Sequence, residues 1–160
     1  MAVDMFMDIT EAPGESLGTG FTGKIDVLAW SWGMSNGGTT HMGGGGGAGK
    51  VNVQDLSFTK YVDKASPKLQ LLCCNGHHLP KAILTVQKAG KVPIKYVVVT
   101  LEEILVTSVS MGGSGGEDRL TENVTLNFGK VKYEYTPQKA DGSADVAVPY
   151  TWNVAHNAAT

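Results

Sequence analysis

The chain has 160 residues, 42% of them apolar, and a formal charge of −2 from 13 Lys and Arg against 15 Asp and Glu. This suits one folded domain, residues 1–160, with a core that needs neither disulfides nor metals. The near-neutral charge excludes the basic footprint of a nucleic-acid binder. The two cysteines, Cys73 and Cys74, are adjacent and give no disulfide framework, which fits a reducing compartment at synthesis.

The first residues, Met-Ala-Val-Asp-Met-Phe-Met-Asp, carry no basic n-region and no long apolar h-region, so no cleavable signal is expected. No apolar run approaches the ~18 residues of a membrane span. The sequon Asn123-Val124-Thr125 therefore reads as strand, not as a glycan site.

Residues 3–9 alternate loosely as a first strand, and Glu11 to Gly23, with Pro13 and several glycines, read as a loop. Lys24–Met34 reads as one long strand containing Trp30-Ser31-Trp32. Alternation puts both indoles on one face and Ser31 on the other.

A polar run then leads into Gly43–Lys50, Gly-Gly-Gly-Gly-Gly-Ala-Gly-Lys. Gly44 to Lys50 match the first seven positions of the phosphate-binding pattern G-x-x-x-x-G-K-[ST]. The eighth position is Val51, which cannot hold Mg²⁺. A phosphate loop also follows a strand and opens a helix, whereas Val51–Thr59 reads as strand. The segment 35–50 exceeds the ~12–15 residues of ordinary structureless loops and reads as a mobile arm that orders against a partner.

Asp63–Gly76 is the one good helix candidate. Ser66 suits the N-cap, Pro67 the first helical position and Gly76 the position past the end. Leu69, Leu72 and Cys73 form an apolar stripe. Strands resume at Ala82–Lys88 and at Ile94–Val109, where both faces are apolar and both should be covered, by the helix or by another subunit.

Gly112-Gly113-Ser114-Gly115-Gly116 turns the chain. Val124, Leu126 and Phe128 then alternate on even positions, and Val131, Tyr133 and Tyr135 on odd ones. A bulge at Gly129-Lys130 would keep both sets facing inward. Pro137–Pro149 reads as a loop and Tyr150–Val154 as a last strand. About eight strands and one helix favour a β-barrel or two packed sheets.

Candidate chemistry is sparse. Cys73, Cys74, His77 and His78 cluster, but consecutive ligands diverge and zinc sites use spaced pairs. Glu102-Glu103 and Glu117-Asp118 are adjacent carboxylates, and strand neighbours point to opposite faces, unlike the facing acids of a glycosidase. Trp30 and Trp32 offer a sugar platform, or core. No catalytic constellation survives, so no enzyme, metal or cofactor is expected. The alternative reading is a monomeric ligand- or carbohydrate-binding β-domain.

Several segments resemble the haemolysin-coregulated protein (Hcp) family, the tube protein of bacterial type VI secretion systems. They are Ala2–Met7, Asp26–Gly33, His41-Met42 leading into the Gly run and Lys50-Val51, Gln54–Tyr61, Gly112–Leu120 and Thr121–Phe128. The resemblance departs at residues 8–24, 64–95 and 138–150. It implies a mainly β fold, a two-sheet antiparallel β-barrel with one flanking short α-helix. It also implies hexameric rings that stack into a tube inside a contractile sheath. Partners would be further copies of the chain, the spike protein, the sheath and small effector proteins, with no nucleic acid and no membrane insertion. The protein would assemble in the bacterial cytoplasm and leave without a signal peptide.

On this reading two stretches are candidates for the ring or stacking interface. One is His41, Met42, Gly43, Gly44, Gly45, Gly46, Gly47, Ala48, Gly49 and Lys50. The other is Gly112, Gly113, Ser114, Gly115, Gly116 and Glu117. Ser31 is the candidate lumen contact for cargo.

Overall fold

Period-two alternation dominates the chain and produces a sheet that curls until its edges meet. The computed structural model describes residues 2–38, 41, 47 and 49–160. In chain order it contains β1 (Val3–Asp8), β2 (Ile25–Asp26), β3 (Ala29–Ser31), β4 (Met34–Ser35), β5 (Asn52–Val53), β6 (Leu56–Tyr61), α1 (Ser66–Asn75), β7 (Leu79–Lys88), β8 (Ile94–Met111), β9 (Thr121–Tyr135) and β10 (Val148–Asn153). The main sheet is antiparallel in the order β2-β1-β7-β8-β9-β6-β3. On the far side of β9, β6 pairs its first part and β10 its last. A separate ladder joins β4 to β5.

One short piece of chain closes the seam. β2 pairs with β1, and β3 pairs with β6. Between them, Val27 N–H donates to Met5 O at 2.9 Å and Leu28 N–H donates to Thr59 O at 2.8 Å. Adjacent residues thus hold opposite edges, and the curled sheet becomes the expected barrel. For the same reason Lys24–Met34 is not one strand. A segment that leaves one edge for another must bend, and it is broken into β2, β3 and β4. Val51–Thr59 likewise splits into β5 and β6 at Gln54-Asp55.

The apolar run of β8 has a different cause from two covered faces. Its core-facing residues are Ile94, Val97, Val99, Leu101, Ile104 and Val106, with Val109 packed against them. The inward parity changes three times. Tyr96 is an extra residue between the Val86/Val97 and Gln87/Lys95 pairs. Glu103 adopts a left-handed φ of 56°. Thr107 is an extra residue between the Val106/Leu126 and Ser108/Thr125 pairs. A single buried face, re-aimed at each irregularity, accounts for the pattern.

The face change expected at Gly129-Lys130 is present, without a slipped register. Glu102 pairs with Lys130 and Ile104 with Phe128, in step. Both strands turn together, β8 at Glu103 and β9 at Gly129.

α1 lies against β8 and buries Leu69 and Leu72. Each such burial contributes about 1.5–3 kcal/mol. The N-cap is Ala65 rather than Ser66. Ser66 is the first helical residue because its hydroxyl is engaged elsewhere, with a fully buried ion pair of Lys60 and Glu122. Lys60 Nζ donates to Glu122 Oε1, to Ser66 Oγ at 3.1 Å and to Tyr61 O at 2.9 Å. Ser66 Oγ donates to Glu122 Oε1 at 2.6 Å. Asp63 Oδ1 stands 2.8 Å from the same ammonium. This network ties the start of the helix to the β6–β9 ladder. At the other end Gly76 takes the left-handed φ of 65° that ends a helix.

Candidate functional site

Strand register arranges the outer surface into zones. Opposite the core-facing Leu56, Phe58, Val124 and Leu126, the residues between them point outward. Ser31 pairs with Ser57, Ser57 with Thr125, and Thr125 with Ser108. The next row is Ala29, Thr59, Asn123 and Ser110. Each row holds a cross-strand hydrogen bond: Ser57 Oγ and Thr125 Oγ1 are 3.3 Å apart, and Thr59 Oγ1 donates to Asn123 Oδ1 at 2.6 Å. β3, β6, β9 and β8 thereby present a wall of small, uncharged polar side chains. At its margin Asp55 accepts from Asn127 Nδ2 at 2.8 Å and from Thr107 Oγ1 at 3.1 Å.

Beyond the Glu103–Gly129 bend the same outer face changes character. Lys81, Glu102, Lys130, Lys132 and Glu134 place charges of both signs there, and Lys132 Nζ lies 3.3 Å from Glu134 Oε1. Glu102 and Glu103 are solvated members of this surface.

A third zone is aromatic. Trp32 stacks on Tyr133 with centroids 6.4 Å apart, and Tyr133 stacks on Tyr150 at 6.0 Å. Burial pushes the phenol pKa of Tyr133 up, helped by Tyr96 and Tyr135, and burial together with Tyr133 raises that of Tyr150. An apolar groove of about 170 Å³ lies between Met34 and Val53 on one side and Tyr150 and Trp152 on the other. Both Trp30 and Trp32 pack against the core, and Trp32 Nε1 donates to Gln54 O at 2.9 Å. They do not form the flat exposed platform a sugar needs.

The sequence-selected residues fall in separate places. Ser31 is exposed on the neutral wall. Gly112, Gly113, Ser114, Gly115, Gly116 and Glu117 form the exposed β8–β9 turn, where Glu117 N–H donates to Ser114 O at 3.2 Å. His41 and Lys50 are exposed, and Gly49 N–H donates to Gly37 O at 3.0 Å beside the β4/β5 ladder. Met42, Gly43, Gly44, Gly45, Gly46 and Ala48 lie outside the described residues, as do Thr39 and Thr40. Cys73 is half-buried and Cys74 exposed, and His77 Nε2 stands 3.1 Å from Glu11 Oε2. Among the described residues no three His, Cys, Asp or Glu side chains are grouped to hold a metal, and no helix is long and apolar enough to cross a membrane.

The wall residues other than Ser31 were not anticipated as a site. Their signal was present in Ser57-Phe58-Thr59 and Asn123-Val124-Thr125-Leu126-Asn127, where hydroxyl or amide residues alternate with apolar ones.

These features define a closed antiparallel β-barrel domain with one flanking helix, a neutral and a charged outer zone, and an aromatic cluster packed against the core. Residues 6–135 match the family described as "Type VI secretion system effector, Hcp". The chain is 61% identical over 159 residues to protein hcp1 of Pseudomonas aeruginosa, covering 98% of each. It also resembles the crystal structure of Hcp1 from Salmonella typhimurium, with 35% identity, a TM-score of 0.82 and full coverage of both chains (100%). A type VI secretion effector from Yersinia pestis aligns at 30% identity and a TM-score of 0.78, covering 94% of this chain and 100% of that one. The chain belongs to the Hcp family of type VI secretion systems.

Proposed function

We propose that this chain is the tube subunit of a type VI secretion system. Copies close into hexameric rings, the rings stack into the expelled inner tube, and small effector proteins travel in the lumen. The observation that carries this reading is the neutral wall of β3, β6, β9 and β8. Two rows of short hydroxyl, amide and methyl side chains offer hydrogen bonds without strong charge or large apolar area. Such a surface lets a folded cargo be held and released. Ser31 sits in the first row and is the lumen contact. The arm from His41 to Lys50 and the turn from Gly112 to Glu117 supply contacts between copies. A heterologous interface that closes gives a ring. Spike, sheath and effectors are the further partners. The protein assembles in the bacterial cytoplasm and leaves through the secretion machine.

Solution mass and negative-stain images test this. Sixfold mass and round particles with a central hole are expected, whereas a monomer at every concentration overturns the reading. A long side chain at Ser31→Gln narrows the lumen, so co-purified cargo should fall while the rings persist. Unchanged cargo retention removes Ser31 from the lumen.

A further inference from the structure

The two ends of the barrel carry unlike charge. β8 runs the length of the molecule and ends in a different turn at each pole. At one pole the β7–β8 hairpin and the β9–β10 loop enclose a cleft of about 640 Å³, bordered by Lys88, Lys91 and Lys95 together with Thr136, Gln138 and Ser143. Among the described residues none of the three lysines has a carboxylate within ion-pair distance. Lys88 Nζ lies 4.3 Å from the Tyr96 ring centroid and Lys95 Nζ 5.8 Å from that of Phe21, so aromatic faces hold these ammonium groups in place. Asp141 shares the cleft; hydrogen bonds from Ser143 Oγ and N–H lower its pKa and keep it ionised, so it offsets part of the charge of the three lysines.

At the opposite pole the β8–β9 turn carries Glu117 and Asp118. Neither has a cationic partner among the described residues. The neighbouring Arg119 is turned onto the Tyr61 ring, 3.8 Å from its centroid. The turn is thin, because Gly112, Gly113, Gly115 and Gly116 have no side chains to obstruct entry into a cleft.

We infer that the Glu117-Asp118 turn of one copy seats in the lysine-bordered cleft of the next, so that stacking is a polar, head-to-tail, charge-driven contact. This rests on the tube reading above and names the residues that join one ring to another. A single exposed ion pair is weak, but a closed ring repeats it around its circumference, so the contacts act together. Salt should therefore control stacking and leave rings intact, since the Debye length falls from about 10 Å at 0.1 M to about 3 Å at 1 M.

A carbodiimide condenses a lysine amine with a carboxylate only where the two touch, with loss of water, and mass spectrometry then reads the joined peptides. Concentrated wild-type protein at low salt should give crosslinks from Lys88, Lys91 or Lys95 to Glu117 or Asp118. These should be lost in 1 M salt and in Lys91→Glu or Asp118→Lys, and should give way to crosslinks of reversed polarity in Lys91→Glu/Asp118→Lys. Sixfold solution mass, measured in parallel, must persist in every variant. If wild-type rings form but none of these crosslinks appears, or if they survive both single reversals, the inference is overturned. If no ring forms at all, the tube reading itself has failed.

Discussion

Glu103 and Gly129 face each other across the β8–β9 ladder, the first in a left-handed conformation and the second without a side chain. A Cβ added at Gly129 would lie 3.2 Å from Glu103 Cβ and would overlap its carboxylate. Gly129 itself has no positive φ, so an alanine there suffers from crowding alone. The exposed Glu103 carboxylate can swing away, leaving the tight contact with its Cβ, so Gly129→Ala should destabilise by about 1 kcal/mol. Glu103→Gly alone removes a left-handed penalty of about 1–2 kcal/mol, offset in part by unfolded-state entropy, and should lie within about 1 kcal/mol of wild type. In that background Gly129→Ala should cost less. Urea unfolding of the four proteins measures the coupling, and strict additivity would show that the close approach does not shape the bend.

The buried Lys60–Glu122 pair makes a second prediction. Lys60→Met leaves the Glu122 carboxylate inside the barrel without its ammonium and should cost about 3–5 kcal/mol, whereas Glu122→Leu leaves Lys60 still 2.8 Å from Asp63 Oδ1 and should cost less. Glu122 Oε2 already lacks a hydrogen-bond partner among the described residues, which leaves the pair little margin. Lys60→Met/Glu122→Leu replaces both buried charges with apolar groups and should recover most of the Lys60→Met loss, since Asp63 keeps its hydrogen bond from Ala65 N–H. A double variant as unstable as the sum of the singles would mean that packing volume, not charge, governs this site.

Tyr133 and Tyr150 give the fold an alkaline limit. Their folded-state phenol pKa values are raised, chiefly by burial. Above the ordinary value near 10 the unfolded chain ionises first and binds fewer protons than the folded one. Stability is therefore complete below pH 10 and falls as pH rises through the raised folded values. Tyr133→Phe/Tyr150→Phe should flatten that fall. Phenolate absorbance against pH, followed beside circular dichroism, gives both quantities, and an equally steep fall in the double variant would assign the limit to other groups.

Gly76 isolates a backbone effect. Its φ is 65° and a Cβ there would touch nothing within 4 Å. Gly76→Ala should therefore cost only the left-handed penalty, about 1 kcal/mol, or about 2–4 °C in Tm for a chain of this size. A larger drop in a thermal melt would reveal contacts beyond the cap.

The legible parts of the chain were those governed by local rules. Gly76 ended the helix where its permissive backbone was required, and the even-to-odd switch around Gly129 located a real change of face. The hydroxyl-rich alternation of β6 and β9 was also visible, although its assembly into a wall was not, because rows form only once register is fixed. Other features depend on tertiary context. Nothing in Lys24–Met34 shows that one segment serves two edges. The three re-aimings of β8 mimic a doubly buried strand, and only pairing partners separate the two cases. Lys60 and Glu122 do not stand out in the sequence, because burial of an ion pair depends on where the fold brings the two side chains. Ser66 looks like a cap in sequence and is drawn into that pair instead.

During synthesis, the residues that seal the barrel emerge long before the strands that must hold their partners in place. Val27 and Leu28 bridge β1 and β6, but β1 is flanked by β7 and β6 by β9. A chain still on the ribosome cannot close until β9 has been made. Closure is then a late, long-range step of the kind that slows folding and rewards completion. A chain cut before β9 has no neighbour for β6, so the seam ties the first sixty residues to a strand made far later in the sequence.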